Sequence, residues 1–191
     1  MVAIDPVKQL IVLGFRGSKS VGNWLANANI ERERVSLVLW VTAALQSAVA
    51  QFPSYQIIAT GHSLGGSVAT IAAGDLRQAG YTIDLYTYGA PMSGNIAFVN
   101  FISSQGNNYR VTHDKDIVPK LPGYLLGYAH ISNEYWVTAP SGAAVTTRDV
   151  QVSSGALNLR GNAGQLESST TDHNYYFGNI TACGPENLEF P

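Results

Sequence analysis

The chain has 191 residues, 46% of them hydrophobic and 13% charged, with a formal net charge of −2. That length holds one substantial core, so a single domain over 1–191 is expected, and so small and dispersed a charge excludes the basic footprint of a nucleic-acid binder. No apolar run approaches the roughly 18 residues a membrane-spanning helix needs, and "MVAIDPVKQL" lacks the basic and apolar regions of a secretory leader, which implies an intracellular protein or a missing start.

"VAIDPVKQLIVLGFRGS" predicts a hairpin turning at Asp5-Pro6, then a buried strand over about 9–15 that ends at Gly17-Ser18. Helical apolar spacing runs from Val35 to Phe52, and Pro53 stops it. The branched run "YQIIATG" predicts a strand that passes without a loop into the helix "SLGGSVATIAAGDLRQAG", stopped by Gly80. A strand in "TIDLYTYGAP", a helix in "NIAFVNFISS" and a strand in "NYRVTH" follow. Strands alternating with helices predict an α/β fold with a mainly parallel sheet and helices on both faces. Beyond Asp116 the pattern turns to hairpin strands in "HISNEYWVT" and "AAVTTRDVQV", a Gly/Ser-rich loop around 153–170, and a short helix in "DHNYYFGNI" capped by Asp172.

Cys183 is the only cysteine, so an internal disulfide and a cysteine metal framework are excluded, and a buried small hydrophobe is its plain reading. The histidines show no ligand spacing, and no metal or organic cofactor is expected. Asn179-Ile180-Thr181 is a glycosylation acceptor if the chain enters a secretory compartment.

Where the third predicted strand meets its helix, Gly61-His62-Ser63-Leu64-Gly65 matches the G-x-S-x-G nucleophile elbow, in the strand-to-helix context that gives the motif its meaning. Gly61 and Gly65 leave room for a strained turn, and Gly66 and Ala69 extend the small surface. A serine hydroxyl is a poor nucleophile at neutral pH, so a histidine must take its proton and an acid must orient that histidine. Of the later histidines, His113 sits beside the candidate acids and His130 falls at a strand entry, where a structural role is expected. His173, after a flexible loop, is the best base. "HDKDIVPKLP" offers both Asp114 and Asp116 as the acid; Asp116 is better placed and Asp114 suits a turn.

Taken together, "GFRGSKSVGNWLAN", "TGHSLGG", "TYGAPMSGN", "HDKDIVPKLP", "HISNEYW" and "DHNYYFG" resemble the fungal class 3 lipases, which include triacylglycerol lipases and feruloyl esterases. The resemblance implies an α/β-hydrolase fold and a triad of Ser63, Asp116 and His173. It implies oxyanion donors at Ser18 and the Leu64 amide, and an apolar lid carrying Val21, Trp24 and Leu25. It further implies an extracellular monomer acting on acylglycerol esters at a lipid–water interface, with lipase ahead of feruloyl esterase because the lid is apolar. Two departures stand out. The N-terminal helical segment typical of the family is missing, and with it the disulfide partner of the family position that Cys183 matches. The stretch after the lid is also short of a strand, so "RVSLVLW" would have to serve as one or a sheet position would be lost. A truncated, non-catalytic hydrolase-like protein is the alternative these departures suggest.

Overall fold

The structure, a computed structural model, describes residues 1–17 and 34–180, with residues 34–40 described by their backbone alone. Seven strands form one sheet in chain order: β1 (Val2–Asp5), β2 (Leu10–Phe15), β3 (Gln56–His62), β4 (Ile83–Tyr88), β5 (Asn108–His113), β6 (Glu134–Val137) and β7 (Val150–Ser153). β2 through β6 run parallel; the edge pairs β1–β2 and β6–β7 are antiparallel. Parallel neighbours need long crossovers. Three of these are built on α1 (Arg34–Gln51), α2 (Leu64–Gln78) and α3 (Ile96–Ser104).

The β1–β2 turn is set by Asp5, whose Oδ1 accepts from the amides of Val7 and Lys8. "RVSLVLW" is helical, the opening of α1, and β2 pairs with β3 directly along six residues. The sheet is therefore continuous without a strand from that segment.

Register explains where the core lies. Ile11 and Leu13 stand level with Ile57 and Ala59, and these with Ile83 and Leu85, so one sheet face is a patch of buried aliphatic side chains. Leu45 of α1, Ala69, Ala73 and Leu76 of α2, and Val99 and Ile102 of α3 close over it. Each fully buried Leu or Ile there contributes about 1.5–3 kcal/mol. The opposite face gathers Val111, Val137, Ala139 and Tyr176 around the segment that carries a 3-10 turn, Asp172–Asn174. Helical elements thus flank both faces unequally, three long helices on one and this turn on the other.

Candidate active site

β3 ends at His62 and α2 begins at Leu64, so Ser63 alone joins strand to helix. Its φ of 58° and ψ of −133° lie in a region that costs a non-glycine residue about 1–3 kcal/mol. The neighbours permit the turn because they lack side chains. A Cβ on Gly61 would collide with the carbonyl of Gly65, and one on Gly65 with the carbonyl of Phe15. The Ser63 amide donates to the Tyr88 carbonyl at 2.9 Å, which fixes the turn to the end of β4. A serine before a helix ordinarily spends its hydroxyl on the cap; Ser63 makes no such bond. Leu64 follows as the first helical residue, where amides have no partner within the helix and the helix dipole favours negative charge.

His173 lies in the Asp172–Asn174 turn, and its Nδ1 is 2.8 Å from Oδ2 of Asp116. Asp116 follows β5 and has no exposed surface; its Oδ1 accepts from the Val118 amide at 2.9 Å and its Oδ2 from the Tyr176 hydroxyl at 2.5 Å. Both oxygens are thereby held, and a carboxylate in this position places the imidazole proton on Nδ1. Nε2 of His173 is buried and has no hydrogen-bond partner. Burial of that kind is rare for a polar atom and leaves a lone pair available to take a proton.

Two further side chains support the pair. Nε2 of His62 donates to the His173 carbonyl at 2.9 Å, and the two rings lie 4.4 Å apart. Burial, then the proximity of His173, lower the His62 pKa from 6.5 to about 4. Burial and Asp116 push the Tyr176 phenol well above its usual range, so it stays a donor. Asn162 Nδ2 reaches the backbone carbonyls of both Asp114 and Asp116, at 3.1 and 2.9 Å, and ties down the turn that carries the acid.

Of the two candidate acids, Asp116 meets His173, while Asp114 serves as a turn residue with φ of 32° and a carbonyl accepting from Trp136 Nε1. His113 is buried with its ring nitrogens 3.0 and 2.8 Å from the carbonyls of Asp172 and Ala139, and His130 Nε2 lies 2.6 Å from the Pro119 carbonyl. The expected cap by Asp172 is not formed. Thr171 holds the cap position and Asp172 is already inside the turn, so its carboxylate turns away to accept from Ser141 Oγ and the Lys115 amide. Ser18, Val21, Trp24, Leu25 and Cys183 lie outside the described residues. His62, Tyr176 and Asn162 escaped the sequence reading. None of the three left a usable local signal: Tyr176 lies beyond the Asp172–Asn174 turn and meets Asp116 from 60 residues away.

A cavity of about 490 Å³ opens beside the elbow, walled mainly by Leu64, Val68, Ile71, Met92, Phe98 and Leu126. Its lining suits an aliphatic chain. Among the described residues, no three acidic, His or Cys side chains gather as a metal-ligand set, and no helix is long and apolar enough to cross a membrane.

A secreted mono- and diacylglycerol lipase A of Penicillium cyclopium is 40% identical over 210 aligned positions, covering 99% of this chain and 69% of its own length. The chain belongs to the class 3 lipase family. The sequence profile of that family, described as lipase (class 3), matches residues 36–125. Among solved structures, a mono- and diacylglycerol lipase from Aspergillus oryzae superposes with a TM-score of 0.89 at 36% identity, over 96% of this chain and 76% of that one. A fungal lipase described for its unusual buried polar cluster gives 0.85 at 40% identity, over 95% and 74%. The fold is that of the α/β hydrolases, and membership makes the chain a lipase-type ester hydrolase. The alignment to the Penicillium relative is longer than the 191 residues of this chain, so that relative carries residues this chain lacks.

Proposed function

We propose that Ser63, His173 and Asp116 act as a catalytic triad that hydrolyses acylglycerol esters through an acyl-enzyme. The observation that carries this reading is the buried Asp116–His173 pair at 2.8 Å, with the opposite imidazole nitrogen unpartnered. Ser63 Oγ attacks the ester carbonyl carbon as Nε2 of His173 takes its proton, and Asp116 steadies the imidazolium through Nδ1. The carbonyl oxygen gains charge and is met by the Leu64 amide and by Ser18; each such donor is typically worth about 100- to 1,000-fold in rate. His173 then protonates the departing alcohol, the C–O bond breaks, and a water activated by the same nitrogen releases the fatty acid and frees Ser63. The cavity beside Leu64 takes the acyl chain, with Val21, Trp24 and Leu25 as the apolar cover that turns to the lipid surface.

The substrates named for the Penicillium and Aspergillus relatives, mono- and diacylglycerols, are carried to this chain on the same grounds. So is an extracellular place of action, since curated relatives from Penicillium and Fusarium are named as secreted. Ser63→Ala should lower hydrolysis of a medium-chain p-nitrophenyl ester by about 10⁶-fold. Surviving activity would remove Ser63 from the role. Diacylglycerol should be cleaved faster than methyl ferulate, and the reverse order would make the chain a feruloyl esterase. A folded, soluble chain without any ester hydrolysis would favour the non-catalytic alternative.

A further inference from the structure

Beyond the active-site machinery, a sequence motif and a surface recess coincide. Asn179-Ile180-Thr181 is the single Asn-x-Ser/Thr triplet in the sequence. Asn179 is exposed and forms an antiparallel bridge with Tyr175, while the Tyr176 amide donates to the Gly178 carbonyl at 3.0 Å. Inside this tight turn Phe177 adopts φ of 58°, a strained value for an aromatic residue, and stands 58% exposed two positions before Asn179. Its ring meets that of Tyr88 edge-on, the centroids 6.5 Å apart. Phe177 and Asn179 both line a recess of about 200 Å³ whose other walls include Pro140, Ala143, Val145 and Tyr175. Such a recess offers a sugar ring two things at once: an aromatic face, whose negative potential attracts the weakly positive C–H groups of a pyranose, and an acceptor amide at its rim.

We propose that Asn179 carries an N-linked glycan whose first N-acetylglucosamine settles in this recess against Phe177. The proposal rests on the extracellular reading, because the donor, an oligosaccharide on a lipid pyrophosphate, belongs to the secretory pathway. In the transfer, Asn179 Nδ2 bonds to C1 of the first sugar, the C1–O bond to the pyrophosphate breaks, and the lipid pyrophosphate leaves with the electron pair. The amide gives up one proton to the transferase. The acceptor position is six residues after His173, so the sugar both covers Phe177 and braces the turn that follows the base.

The test is the full chain behind a yeast secretion leader, with Asn179→Gln, Thr181→Ala and Phe177→Ala beside it. Treatment with a peptide-N-glycosidase should shift the wild-type band by one glycan and leave Asn179→Gln and Thr181→Ala unshifted; Thr181→Ala keeps the Asn179 side chain and so guards against misfolding of the first variant. Deglycosylation should also lower the Tm of the wild type by more than that of Phe177→Ala. An exported but unshifted wild-type chain overturns the glycan while leaving the extracellular reading intact. Equal Tm changes in wild type and Phe177→Ala overturn the seat against Phe177. If the product of the chain's own gene stays in the cytosol, the extracellular reading fails and the glycan fails with it.

Discussion

At the scale of single residues, the site depends on who holds a proton and where. Asp116 and Asp114 are two residues apart, yet only Asp116 reaches the His173 ring. Asp116→Asn should therefore reduce kcat by several orders of magnitude, as an amide in place of the carboxylate favours the wrong imidazole tautomer, while Asp114→Asn stays within about tenfold of the wild type; a greater loss in the second would reassign the acid. His62 brings a pH dependence of its own. Its ring is neutral when folded down to about pH 4, whereas an unfolded histidine takes a proton below about 6.5. The unfolded state thus binds more protons between those values, and stability falls as pH drops from about 6.5 toward 4, by on the order of 3 kcal/mol at most, then levels off. Tm followed across that range should flatten in His62→Asn, which keeps a donor for the His173 carbonyl. An unchanged slope would show that His62 is not the group responsible.

At the scale of elements, β5 and β6 are bound by a buried ion pair on the helix-covered face, level with Thr87 by register. Arg110 Nη2 lies 3.4 Å from Glu134 Oε2, and Glu134 also accepts from Thr112 Oγ1, the Asn162 amide and Asn158 Nδ2. Through Asn162 this cluster reaches the turn that carries Asp116. Arg110→Ala would leave a buried carboxylate short of its counter-charge, so a loss of about 3–5 kcal/mol is expected, read as a lower urea midpoint. A shift under about 1 kcal/mol would mean that water replaces the guanidinium. The strands and helices themselves were legible in the sequence, because runs such as "YQIIATG" and the spacing from Leu64 to Leu76 record local periods. The Arg110–Glu134 pair was not legible: its members are 24 residues apart and meet only through strand register. The Asp172 cap was misread for a local reason, since capping depends on which residue enters the helical φ/ψ region first, and that residue is Thr171. Ser63 stands out through motif context, while the choice of Asp116 over Asp114 came from the family resemblance and matches the contact with His173; the contacts of His62 and Tyr176 arise only when distant parts of the chain meet.

At the scale of the whole molecule, one continuous sheet separates two apolar clusters, and each of β5 and β6 contributes to the sheet that both clusters share. The single-domain expectation then has a direct test. Near- and far-ultraviolet circular dichroism should report one coincident unfolding transition, with a monomer in sedimentation; two separated transitions would divide the chain into independent units. The parallel pairing of β2 with β3 and of β5 with β6 also sets an order in time. Such strands meet only after long stretches of chain have closed, and entropy must be lost before the contacts are gained. The acid and the base are 57 residues apart in the chain. On the proposed triad, a growing polypeptide has no assembled proton relay until synthesis has passed His173 and the strands from β3 to β5 have paired, so a chain stalled before that point holds Ser63 without its base.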